Sequence, residues 1–182
     1  MRLNIFLKTL TLLVMLITSN IALALESDAH SEITIESDRA EFDRKAGTAV
    51  YIGNVVLVQG TLLIKADRIT LYSDENQQLH KAVAIGQPAH FQQQMEENKG
   101  LTKAEGQTIT YLTQDETVTL LTDAILEQEG NSFNGDQIIY DIVNENIKAK
   151  GGTEIQVSPT EKQPKSRIKM IIQPAQPVEN TQ

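Results

Sequence analysis

His30, His80 and His90 are the three histidines of the chain, and Glu96-Glu97 and Asp115-Glu116 are adjacent carboxylate pairs among its 24 acidic residues; such side chains can move a proton or hold a metal ion. Their spacing offers neither. No two histidines stand one helical turn or one strand period apart, and there is no cysteine, so a structural zinc centre is excluded. His90 lies between Ala89 and Phe91, which on a strand turns it to the opposite side from both. Adjacent carboxylates on a strand or loop point apart and read as solvated. The chain has no G-x-S-x-G elbow, no P-loop and no G-x-G-x-x-G. The expectation is therefore no catalytic residue, no metal ligand and no cofactor.

What recurs is not a catalytic set but a spacing. Asp38-Arg39-Ala40, Asp67-Arg68-Ile69, Gly106-Gln107-Thr108 and Asp136-Gln137-Ile138 each lead to an aromatic, at Phe42, Tyr72, Tyr111 and Tyr140. Alternating with them are Gly53-Asn54-Val55, Gly86-Gln87-Pro88, Thr122-Asp123-Ala124 and Gly151-Gly152-Thr153. Four degenerate units of about thirty residues tile positions 37 to 157. The second carries insertions at Ser73–Lys81 and Met95–Thr102. A catalytic carboxylate tolerates no exchange for Gly106, whereas a turn residue does, so the repeated aspartates read as structural caps of bends.

The elements between these marks alternate with period two. Val55 and Leu57, Leu62, Ile64 and Ala66, Ile69 and Leu71, Ile109 and Tyr111, Val118 and Leu120, Ala124 and Leu126, Ile138 and Tyr140 each share a face. Thr, Val, Ile and Tyr suit a pleated surface, and Gly60, Gly130 and Gly135 with Asn54, Asn131 and Asn134 read as turns. Pro88 lacks a ladder donor and predicts an edge or a strand start. The fold class is all-β, built from short antiparallel strands. Its inward set is Val, Leu, Ile and Ala, with no Trp and few Phe. That composition fits a filled core, and it fits equally a trough for long alkyl chains.

The termini differ from this body. Residues 1–24 start with Arg2 and Lys8, continue through an apolar run from Leu10 to Ile17, and close on Ala22-Leu23-Ala24. This reads as a cleaved signal peptide, too short in its apolar core for the ~20 residues of a spanning helix; a retained anchor is the rival reading. With no cysteine after it, lipid attachment there is excluded. Losing Arg2 and Lys8 moves the formal net charge from −8 to −10, an acidity that argues against nucleic acid as a partner. Residues 25–157 are expected to form one domain. Residues 158–182 hold Pro159, Pro164, Pro174 and Pro177 among Lys162, Lys165, Arg167 and Lys169, and read as a flexible tail.

Ile35-Glu36-Ser37-Asp38, Gly53-Asn54-Val55, Gln59-Gly60-Thr61, Ala66-Asp67, Gly86-Gln87-Pro88-Ala89 with Phe91, and Gly135-Asp136-Gln137-Ile138 with Tyr140 together resemble the LptA/OstA family of periplasmic lipopolysaccharide-transport proteins. The domain type is shared with LptC and the N-terminal part of LptD. The likeness spans about residues 33 to 157. It implies a twisted open β-jellyroll whose apolar slit binds the lipid A part of lipopolysaccharide. It also implies head-to-tail self-association and partners resembling LptC at the inner membrane and LptD at the outer membrane. By motif position it places Ile33, Ile35, Phe91 and Tyr111 against acyl chains. The other inward residues, Phe42, Tyr51, Val55, Leu57, Leu62, Ile64, Ile69, Ile109, Leu120, Leu126 and Ile138, extend that lining. Thr117 and Thr122 depart from the pattern, standing where it has an apolar residue and Gly. The edges expected to stack are Ile33–Glu36 and Thr153–Val157. The runner-up reading is a structural β-repeat envelope scaffold with a filled core.

Overall fold

The computed structural model describes Asp28 and residues 31–94, 100–152, 156–158, 161–162 and 167–173. The alternating segments form β1 (Ile33–Glu36), β2 (Arg39–Asp43), β3 (Thr48–Gln59), β4 (Leu62–Ser73), β5 (Leu79–Gln94), β6 (Leu101–Leu112), β7 (Thr117–Gln128), β8 (Asn131–Asp141), β9 (Asn146–Lys150), β10 (Gln156–Ser158), β11 (Glu161–Lys162) and β12 (Lys169–Ile171). One antiparallel sheet runs β1-β3-β4-β5-β6-β7-β8-β12, with β2 also on β3 and β9 also on β8; β10 and β11 pair separately.

The strands are longer than expected. β3 to β8 each run 11 to 16 residues, because the marks read as strand ends are bulges inside strands. Pairing slips between Ile52 and Val55, Lys65 and Arg68, Ile85 and Ala89, Glu105 and Thr108, and Leu121 and Ala124. These slips line up across the sheet and crease it, since a bulge bends its strand and sharpens the twist. Pro88 falls on this crease rather than at an edge; a bulge, like an edge, leaves an amide with no ladder partner to miss.

At the crease the backbone enters the left-handed region at Gly53 (φ 84°), Asn54 (φ 46°), Thr122 (φ 62°) and Asp123 (φ 55°). A Cβ on Gly53 would collide with the Asp38 carboxylate. That carboxylate accepts a hydrogen bond from Asn54 Nδ2 at 3.1 Å, and Asp123 accepts one from Gln107 Nε2 at 3.2 Å. Asp67 and Asp136 also sit on the crease, exposed within β4 and β8. They cap no hairpin. That work falls to Asp43, Asp74 and Asp141, whose side chains accept amide hydrogens from Lys45 and Ala46, from Asn76 and Gln78, and from Asn144.

The crease divides the sheet into two walls. Wall A holds β1, residues 55–59, 62–66, 89–94, 101–105, 124–128 and 131–135, and β12. Wall B holds β2, residues 48–52, 68–73, 79–85, 108–112, 117–121 and 137–141, and β9. Phe91 pairs with Ala104, seven residues before Tyr111 on β6, a run of roughly 24 Å along a straight strand. Yet the rings of Phe91 and Tyr111 lie 6.1 Å apart. The walls therefore face each other, and their inward residues form one apolar interior from Val55 to Tyr140.

The tail differs from its expected form. Within residues 158–182, Lys169–Ile171 pair with Asn134–Ser132 of β8, and the Gln173 amide donates to Asn131 Oδ1 at 3.0 Å. The cause is that β9 covers only Gln137–Asp141, leaving the wall A part of β8 with open backbone groups that an apolar-containing segment can satisfy. The expected last strand, Thr153–Val157, lies partly outside the described residues. Gln156 and Ser158 pair with Lys162 and Glu161 rather than with the main sheet.

Candidate functional site: an apolar interior with a polar seam

Alternation places the expected lining on the inward faces, and the fold then sorts it by depth. Val55, Leu57, Leu62, Ile64, Ile69, Phe91, Ile109, Leu120, Leu126 and Ile138 are buried in the interior cluster. Ile35, Tyr51 and Tyr111 are half-buried against it. Ile33 is 38% exposed and Phe42 is 68% exposed. Phe42 does occupy the inward register, opposite Ala49, and stands edge-on to Tyr51 with 5.9 Å between ring centres. It is nonetheless uncovered, because β2 is an edge strand with no strand beyond it, so it is not part of an enclosed lining here. Apolar surface open to solvent is thus found at the β1/β2 end, and also at the opposite end, where Met170, Ile171 and Ile172 are exposed.

Three glutamines of wall A were not anticipated. Gln59, Gln93 and Gln128 each follow an inward apolar residue by two positions, after Leu57, Phe91 and Leu126. The signal was present as apolar-x-Gln at the ends of β3, β5 and β7, but a lone glutamine at a strand end reads as surface. Gln59 instead donates to the Ser31 carbonyl at 3.3 Å, while Gln93 and Gln128 reach Asp28 and wall B. Gln128 Nε2 donates to the Tyr140 hydroxyl at 3.0 Å, although Tyr140 is nine residues from Asn131, the partner of Gln128. Gln93 Nε2 donates to Asp28 Oδ2 at 2.9 Å. Asp28 also accepts from the Thr61 amide and hydroxyl at 2.8 and 2.6 Å, which ties the leader to the β3–β4 turn. Burial pushes the Tyr111 phenol above its ordinary 10.0, and the carboxylates of Glu116 and Asp28 add to the shift. The interior is therefore apolar at its depth and hydrogen-bonding along one margin, where the Asp28 carboxylate is held by Gln93 and Thr61.

The two histidines among the described residues both stand on β5, one in each wall. His90 is on the outer face of wall A, 3.2 Å from Glu105. His80 is on β5 beside Tyr72, with 6.5 Å between ring centres. Glu96 and Glu97 lie outside the described residues.

Residues 34–146 match the family described as LptA/(LptD N-terminal domain) LPS transport protein. The chain belongs to this family. Lipopolysaccharide export system protein LptH of Pseudomonas aeruginosa is 39% identical over 156 residues, covering 86% of this chain and 87% of that protein. Lipopolysaccharide export system protein LptA of Haemophilus influenzae is 30% identical over 171 residues, covering 93% and 92%. The crystal structure of LptH from Pseudomonas aeruginosa, described as the LptA-homologous periplasmic component of the lipopolysaccharide transport device, superposes with a TM-score of 0.70 at 37% identity, covering 81% of this chain and 99% of that one.

Membership accords with the jellyroll expected from the sequence. It also gives the interior a context, since these relatives are named for lipopolysaccharide export rather than for a reaction. Among the described residues no helix is long and apolar enough to cross a membrane.

Proposed function

We propose that this protein is a periplasmic bridge that holds the acyl chains of lipid A between walls A and B and passes lipopolysaccharide from inner-membrane to outer-membrane transport machinery. The observation that carries this reading is the continuous apolar interior enclosed by two walls that β3 to β8 join at the crease. Each methylene moved from water to such a wall gains about 0.8 kcal/mol, so a multi-acyl lipid needs length and apolarity but no catalytic group. The polar seam leaves the sugar part a wet side on which to travel. The interior is closed in this structure, so loading requires the walls to part along the seam, where side-chain contacts such as Gln128–Tyr140 and Phe91–Tyr111 span the gap.

The sheet ends supply the docking edges. β1 and β2 leave unpaired backbone groups on one side, and β9 and β12 do so on the other. Strand pairing between an end of one copy and the opposite end of the next extends the interior, as β-augmentation; the same edges suit an LptC-like domain at the inner membrane and an LptD-like domain at the outer. Export follows cleavage after Ala24, releasing a soluble chain that starts at Leu25. A photo-crosslinking residue at Tyr51, irradiated in cells, tests the reading: adducts with lipopolysaccharide are expected, and their absence there and at Phe91 would refute it.

A further inference from the structure

Gln93 and Thr102 are paired neighbours on β5 and β6, each one inward step beyond Phe91 and Ala104. Thr102 is 1% exposed. Its Oγ1 is buried and has no hydrogen-bond partner among the described residues, and the same is true of Gln93 Oε1. The other end of the Gln93 amide is committed to Asp28, which fixes the carbonyl oxygen on the side away from it. Two orphaned polar atoms therefore stand together at the lip of an apolar interior. Such groups cost free energy when left unpaired, and native structures keep few of them, each for a reason.

We infer that Gln93 Oε1 and Thr102 Oγ1 form a notch for one polar group carried by the acyl part of the cargo, a group that both donates and accepts a hydrogen bond. The Gln93 oxygen can only accept; the Thr102 hydroxyl donates. A hydroxyl on an acyl chain satisfies both, and so does the N–H and C=O of an amide-linked chain. An ester or a bare methylene satisfies at most one. The notch thus makes the interior selective for hydroxylated or amide-linked acyl chains over plain esters. This rests on the reading of the interior as an acyl-chain site.

The test uses the delipidated full chain and three uncharged probes of equal chain length: methyl tetradecanoate, methyl 3-hydroxytetradecanoate and N-methyltetradecanamide. Each displaces a fluorescent fatty acid. The parent protein is expected to bind at least one hydrogen-bonding probe about tenfold tighter than the ester, and the two arms separate hydroxyl from amide as the source. Gln93→Leu should abolish that preference, because the Gln93 oxygen alone accepts the hydrogen that the ester lacks; Thr102→Val should weaken all three probes, each of which accepts from its hydroxyl, and Thr102→Ser should not. Thr102→Val should also raise the melting temperature of the unliganded protein, since it removes a buried hydroxyl without a partner. Equal affinity of the parent for all three probes, or a preference that survives Gln93→Leu, overturns the notch but leaves the acyl-chain site standing. Failure of the parent to bind any probe overturns both.

Discussion

The middle of the interior and its β1/β2 end are built from the same alternation, yet they differ in closure. In the middle, Phe91, Ile109, Leu120, Leu126 and Ile138 are covered by strands on both sides and by the facing wall. At the end, Ile33, Phe42 and half-buried Ile35 and Tyr51 lie on or beside strands with no neighbour beyond them. Inward orientation is thus a property of the strand, whereas burial is a property of the strand's place in the sheet. The middle contributes most to stability, and the end offers apolar surface to a second copy, a partner domain or arriving lipid.

Truncation in the middle gives the largest expected effect. Phe91→Ala should cost about 3–5 kcal/mol and Leu126→Ala about 2–5 kcal/mol, measured by denaturant unfolding. A loss below 1 kcal/mol at both sites would show that the middle is open in solution, contrary to the contrast. At the end, Phe42→Asp should leave the unfolding midpoint nearly unchanged. It should weaken lipopolysaccharide binding roughly tenfold, or about 1.4 kcal/mol, in a direct titration. If Phe42→Asp unfolds the protein, the end is core like the middle.

The crease that holds the middle shut gives a gain instead. Thr122 is β-branched at φ 62°, a conformation costing roughly 1–2 kcal/mol for residues with a Cβ. Thr122→Gly should recover up to about 1 kcal/mol, less the added entropy of the unfolded chain; a net loss would mean that the threonine side chain supports the bend.

The smallest effects are those of pH. Tyr111 has its folded pKa raised, chiefly by burial, so the protonated form is favoured by folding. Its stabilisation is complete below 10.0 and is lost as pH rises through the folded value. Melting temperatures of the parent should fall more steeply above pH 10.0 than those of Tyr111→Phe; identical slopes would place the Tyr111 phenol in water. Asp141 titrates in the opposite sense. Hydrogen bonds from the Asn144 side chain and amide lower its pKa below 3.8. Its contribution is present above that value and fades as pH falls through the lower one, so Asp141→Asn should flatten the acid limb slightly.

Much of this molecule was legible in the residue order. Period two in β3 to β8 determined that the fold is β and which side chains turn inward, because side-chain direction on a strand is fixed by backbone geometry alone. The repeat marks located the bends along the crease. What they could not determine is whether a bend ends a strand: Gly53-Asn54 and Gly60-Thr61 have similar composition, but the first is a bulge and the second a hairpin, a choice made by the partner strand. Tertiary structure alone decided that wall A faces wall B, which makes neighbours of Phe91 and Tyr111 and gives Gln93, Thr102 and Gln128 their place on the seam. It also decided that Lys169–Ile171 join β8. Contacts between residues distant along the chain depend on the summed bend of many strands and on which sheet edge is left unpaired, and neither quantity is written in any local stretch of sequence.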